Sequence, residues 1–232
     1  MKNKGSSVMK IKKSVLSISL IILAVFFTII IKTVDVKAIG PNNSFVGLSS
    51  INHFFSQNIK YNQVWYQISE ILGIMAILLA LVFAFVGLYE WIKRKSLKKV
   101  DPELFLLGAF YVVVLIIYLL FEKLAINYRP ILIDDMLEAS YPSSHTMLSL
   151  CICGSAVFIS KYFIKNQKKR EIFKKCTVLL MILLVVTRFL SGVHWVTDII
   201  GGIIISAALL STFNWQLENL ERRKNASQKD KI

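Results

Sequence analysis

The sequence predicts an all-α membrane protein, a bundle of six transmembrane helices with a short interfacial helix in the first outer loop. Three observations lead there. Hydrophobic residues make up 55% of the 232 positions and the mean hydropathy is +0.60, too apolar for a water-soluble domain. Six runs, at 15–31, 69–92, 104–121, 146–164, 173–190 and 197–214, approach the ~20 apolar residues that cross a bilayer. Basic residues crowd every second connection, as the positive-inside rule requires for an even number of spans with both termini in the cytoplasm.

Each element follows in order. Residues 1–14 form a basic cytoplasmic N-terminus, with Lys2, Lys4, Lys10, Lys12 and Lys13 ahead of the first run. That run exceeds the ~7–15 residues of a secretory signal core, so it is expected to stay as a span despite the cleavage-like Val36-Lys37-Ala38. In the outer loop 32–68, Ser49 or Ser50 suits an N-cap, and Ile51, Phe54, Phe55 and Ile59 recur at helical spacing. A short amphipathic helix on the outer surface is expected, with His53 on its polar side. Tyr61, Trp65 and Tyr66 then fit an aromatic belt at the entry to the second span.

Lys93, Arg94, Lys95, Lys98 and Lys99 follow the second span and mark a cytoplasmic turn. The next link sets Glu122, Asp134, Asp135 and Glu138 against Lys123 and Arg129, so it faces outward. Lys165, Lys168, Lys169, Arg170, Lys174 and Lys175 return the chain to the cytoplasm. The link between the fifth and sixth spans is outward again. Residues 15–214 thus form one six-span domain, and 215–232 a polar cytoplasmic tail in which NASQKDKI is expected to be disordered. The net charge of +14, from 28 Lys and Arg against 14 Asp and Glu, is read as topology rather than nucleic-acid binding. Cys151, Cys153 and Cys176 lie in or beside apolar spans and form no disulfide framework.

Two polar clusters stand out against this background. TRFLSGVHWVTD at 187–198 carries Arg188, His194 and Asp198 at a membrane border, where charge is costly and the default reading is function. With 194–198 helical, Asp198 would hold one imidazole nitrogen of His194 and leave the other free. The bland alternative is a snorkelling Arg and a capping Asp at two helix ends. The second cluster, Tyr141-Pro142-Ser143-Ser144-His145, reads as a helix start, whose unpaired amides and positive dipole end form an anion site. Topology delivers His145, Arg188, His194, Asp198 and Arg129 to one outer rim.

That inventory fits phosphoryl chemistry. Arg129 and Arg188 supply planar, permanently charged donors for phosphate oxygens, joined by the amides near Ser143 and Ser144. His194, oriented by Asp198, would attack phosphorus while His145 protonates the departing oxygen, and water would then hydrolyse the phosphohistidine. Two other classes stay open. His145, His194 and Asp198 are a suitable zinc set, although Arg129 and Arg188 would crowd a cation. A non-catalytic transporter or lipid-binding protein would use Arg188 and Asp198 as a buried pair lining a path.

The stretches RP at 129–130, PSSH at 142–145, and TR with His194 and Asp198 resemble the three-part signature KxxxxxxRP, PSGH and SRxxxxxHxxxD of the type 2 phosphatidic acid phosphatase (PAP2) superfamily. Thr187 replaces Ser in the third part and Ser144 replaces Gly in the second. In the first part Glu122 occupies the lysine position, and Lys123 lies one place closer to Arg129. The resemblance implies a lipid phosphatase with no metal or other cofactor. His194 would be the nucleophile, Asp198 its orienting partner and His145 the acid, with Arg129, Ser143, Ser144, Arg188 and Lys123 binding phosphate. The expected partners are the bilayer and a lipid phosphate or diphosphate, with no nucleic acid. Undecaprenyl diphosphate, phosphatidylglycerol phosphate and phosphatidate are the candidates, their chains in the bilayer and the headgroup in an outward cleft. Lys, Ile and Asn content points to a bacterial plasma membrane.

Overall fold

The computed structural model describes residues 2–229. Its helices are α1 (Lys2–Thr33), α2 (Ser49–Asn58), α3 (Gln63–Arg94), α4 (Pro102–Leu124), α5 (Ser144–Phe163), α6 (Gln167–Leu190) and α7 (Val196–Lys229). Five of the six predicted apolar runs lie wholly within helices, in order, and the fourth, 146–164, overruns α5 only by its C-cap Ile164. Five of the helices, α1, α3, α4, α5 and α7, are long and apolar enough to cross a membrane. The α6 helix is long enough but less apolar, because Lys174, Lys175 and Arg188 bracket a short apolar run. Between α1 and α2 the chain forms a two-stranded antiparallel ribbon, Lys37–Ala38 against Phe45–Val46.

Local chemistry sets the helix boundaries. Asn62 caps α3 by accepting from the amides of Val64 and Trp65, and Asn166 caps α6 by accepting from Lys169 N–H. Ser143 caps α5, as the Pro-Ser-Ser start predicts, taking the Thr146 hydroxyl at 3.0 Å. The α2 helix forms where its apolar spacing predicts it, but neither Ser49 nor Ser50 is its N-cap. Leu48, in the left-handed region, holds that position, and Asp35 supplies the acceptor by taking Ser50 N–H at 2.7 Å. That bond and the neighbouring Lys37 hold the Asp35 carboxyl below the usual carboxylate range.

The core lies where α5 meets α7 and α4. Met147, Cys151 and Ile159 on α5 pack with Leu107, Phe110 and Val114 on α4 and with Ile205, Phe213 and Leu217 on α7. Gly201 and Gly202 allow the close approach of α7. A Cβ at Gly201 would strike the Tyr141 ring at 2.3 Å, and one at Gly202 would meet Ser143 O at 3.1 Å. The α1 helix lies along α7, joined by a Ser17–Ser211 hydroxyl pair at 2.9 Å and an ion pair between Lys13 and Glu218.

At the end away from His194, charges bind helix to helix. Lys224 donates to both oxygens of buried Glu103 at 2.8 Å, and Lys161 pairs with Glu221 at 2.7 Å. Lys13, which the sequence presents only as a topology signal, clamps the bundle in the same way through Glu218. The α7 helix continues to Lys229, through most of the stretch expected to be disordered. Residues 230–232 lie outside the described residues.

Candidate active site

The opposite end gathers the start of α3, the start of α5, the end of α6 and the start of α7, with the loop 125–143 over them. Antiparallel packing of long helices brings these four ends together. His194 lies in the short loop before α7 and Asp198 in the first turn of that helix. Both are buried, and their nearest approach, Nδ1 to Oδ2, is 3.8 Å, too long for a hydrogen bond.

Ser140 bridges this gap. Its hydroxyl donates to Asp198 Oδ2 in a short hydrogen bond and lies 3.2 Å from His194 Nδ1. A hydroxyl has one proton, so if it donates to the carboxylate it must accept from the imidazole. His194 then carries its proton on Nδ1. Its Nε2 has a free lone pair, which accepts from Arg188 Nη2 at 3.3 Å. The direct His194–Asp198 contact expected from spacing is thus a relay. Asp198 spends its oxygens elsewhere, taking Trp195 N–H at 3.0 Å, the hydroxyl of Ser140, and Asn127 Nδ2 at 3.3 Å. Burial, with the Arg188 and Arg129 cations nearby, holds the His194 imidazole far below its ordinary 6.5, so it is neutral.

Arg188 is the hub of the site and is 1% exposed. Its Nη1 donates to Glu70 Oε1 at 2.9 Å and to Ser69 Oγ at 3.2 Å, and its guanidinium lies 5.5 Å from the centre of the Tyr66 ring. Its buried Nε has no hydrogen-bond partner among the described residues. Arg129 Nε is likewise buried and without an aligned partner, although Glu138 Oε2 lies 3.1 Å away. Two guanidinium groups with unspent donors suit an anionic ligand. His145, on the first turn of α5, joins the hub indirectly. Its Nε2 lies 3.1 Å from Glu70 Oε2.

The structure therefore brings His145, Arg188, His194 and Asp198 into one hydrogen-bonded chain, with Arg129 beside it. Ser143 spends its hydroxyl on capping α5, and its amide donates to Asp198 O at 2.9 Å. Ser144 lines a small recess with Glu122, Ser140 and Tyr141. Lys123 is exposed on the last turn of α4 and makes no ion pair or hydrogen bond among the described residues. One residue of helix rotation separates it from Glu122, which faces the recess. His53 is exposed, as expected.

Sequence reasoning missed Tyr66, Ser69, Glu70, Asn127 and Ser140. Tyr66, read as an aromatic-belt residue, instead turns onto Arg188. Glu70 carried a legible signal, as a lone carboxylate at the start of an apolar run. Ser140 and Asn127 carried none, since uncharged polar residues in a loop are commonplace.

Beside His194 a cavity of about 300 Å³ opens toward α2, walled by Asn52, Phe55, Lys60, Pro130, Phe189 and Trp195. Gly192 makes its floor possible. Its φ is +69°, and a Cβ there would lie 2.6 Å from the carbonyl carbon and oxygen of Lys60. Asn62 N–H donates to Ser191 O at 3.0 Å, sewing the same two loops together.

The fold is similar to that of a solved structure, a transmembrane PAP2-type phosphatidylglycerolphosphate phosphatase from Bacillus subtilis. The TM-score is 0.58 at 19% identity, over 88% of this chain and 96% of that one. No curated protein matches the chain. The family model of the PAP2 superfamily matches residues 75–222, well over half of the chain and all of the stretch that carries His145, Arg188, His194 and Asp198. With a multi-pass helical fold and this site at one end of the bundle, the chain belongs to the PAP2 superfamily.

Proposed function

We propose that this protein is a lipid phosphate phosphatase that works through a phosphohistidine intermediate. The observation that carries the proposal is His194 Nε2, unprotonated by hydrogen-bond accounting and seated against Arg188. In the first half-reaction the Nε2 lone pair forms a bond to phosphorus as the P–O ester bond breaks. The electron pair leaves with the lipid oxygen, and His145 supplies the proton that makes it an alcohol. In the second, water attacks phosphorus, His145 takes its proton, and inorganic phosphate leaves with His194 restored. Arg188 and Arg129 hold the phosphoryl oxygens, with the amides at the start of α5 adding dipole, and this charge stabilisation is the larger share of the rate. Lys123 adds long-range positive charge to the rim.

Positive-inside charge supports six spans, α6 included, with the site at the outer face and both termini in the cytoplasm of a bacterial cell. A substrate then keeps its chains in the bilayer and lifts only its headgroup into the cleft. Phosphatidate, phosphatidylglycerol phosphate and undecaprenyl diphosphate remain the candidate substrates. The name borne by the similar solved structure adds weight to phosphatidylglycerol phosphate. Arg188 stands between the two histidines, where a zinc ion shared by them would meet a guanidinium, and this favours metal-free chemistry.

The deciding measurement is phosphate release by purified protein in detergent after exhaustive chelation. Wild type is expected to turn over and to form a phosphoenzyme labile to acid and stable to alkali; His194→Ala should do neither. Wild-type turnover in His194→Ala would refute the mechanism.

A further inference from the structure

The helix α3 contributes a face to the site that lies ahead of the region matched to the family, residues 75–222. Tyr66, Ser69, Glu70 and Gly73 recur at helical spacing and turn toward Arg188 and His145. Gly73 is the seat of the His145 ring. A Cβ there would lie 3.1 Å from Cδ2 and 3.6 Å from Nε2, so this edge of the imidazole faces α3. Glu70 closes on the same edge, one carboxylate oxygen 3.1 Å from His145 Nε2 and the other 2.9 Å from Arg188 Nη1. Nδ1 lies on the other edge of the ring, away from α3.

We infer that Glu70 is a positioning residue for the leaving-group proton: by holding His145 Nε2 it makes Nδ1 the nitrogen that protonates the departing oxygen. This rests on the phosphatase reading of the site. The arrangement parallels the other histidine, where a relayed carboxylate holds Nδ1 and frees Nε2. Each imidazole thus has one nitrogen tied to an acid and one released for chemistry. As the P–O bond breaks, the Nδ1 proton of the imidazolium passes to the ester oxygen, while the Nε2 proton stays in its hydrogen bond with Glu70. Through its second oxygen Glu70 also fixes the distance between the acid and the phosphate-binding guanidinium.

Leaving-group dependence separates this role from a merely structural one. An alkoxide needs a proton to leave, whereas a nitrophenolate leaves without one. The experiment compares kcat/KM for a short-chain phosphatidate and for p-nitrophenyl phosphate, in wild type, Glu70→Gln, His145→Ala and the double variant. Because kcat/KM reports steps through the first P–O cleavage, hydrolysis of the shared phosphoenzyme does not mask the effect. Glu70→Gln is expected to lose about 10²-fold on the alkyl ester and less than about tenfold on the aryl ester. The double variant should then lose, beyond His145→Ala alone, no more on the alkyl ester than Glu70→Gln loses on the aryl ester. Retained aryl turnover also shows that the variant is folded. Equal losses on both esters, no loss on the alkyl ester, or additive losses would overturn the role of Glu70 while leaving the phosphatase reading intact. Failure of wild type to release phosphate from all three candidate lipids as well as from the aryl ester would overturn both.

Discussion

At the scale of single residues, catalytic competence turns on where protons sit. Ser140 determines this for His194, because its hydroxyl gives its proton to Asp198 and can only accept from Nδ1. Ser140→Ala should therefore lower kcat by about 10²-fold with little change in KM, since the arginines proposed to bind phosphate are untouched. Steady-state kinetics on one substrate checks this, and a pure KM effect would contradict it. At this scale the site is unevenly legible in the sequence. His145, Arg188, His194 and Asp198 were legible because a titratable group beside an apolar run is costly unless it has a task. Ser140 and Asn127 have no such cost in a loop. They gain their roles only when tertiary packing sets them beside Asp198.

At the scale of elements, the loop between α6 and α7 carries His194, the proposed nucleophile, and is held by backbone contacts with the segment before α3. Gly192 is the pivot, with a positive φ and no room for a Cβ against Lys60. Gly192→Ala is expected to cost about 1–3 kcal/mol and to displace His194, lowering both Tm and kcat. Gly87→Ala, in the interior of α3 where a Cβ meets nothing within 4 Å, is the control that should leave kcat unchanged and not lower Tm. The helices themselves were legible from apolar run length, and α2 from the spacing of Ile51, Phe54, Phe55 and Ile59. Its boundary was not, because the cap comes from Asp35, far back in the chain, instead of from a neighbouring serine. The far end of α7 was misread for a related reason. A polar stretch reads as disorder when taken alone, but this one extends a helix already anchored by Lys224 on Glu103.

At the scale of the whole molecule, charge asymmetry predicts which end of the bundle meets which side of the membrane. In a background with Cys151, Cys153 and Cys176 replaced, Gln57→Cys should react with an impermeant maleimide on intact cells. Gln167→Cys should react only after permeabilisation; the reverse pattern would place the cleft in the cytoplasm. Both positions are exposed, so labelling reports sidedness and not burial. The ion pair between Glu70 and Arg188 joins residues 118 positions apart, one on α3 and one on α6. With α6 counted as a span, as proposed, α3 enters the bilayer before α6 during synthesis, so the partner for Arg188 precedes that cation. A lone Arg at a membrane border, as at the last turn of α6, still carries a cost, smaller than the about 2.5–3.5 kcal/mol of one at the centre of a span. On the proposed topology, pairing with Glu70 offsets part of this cost, so the carboxylate assigned to the finished site is also expected to escort Arg188 into the membrane.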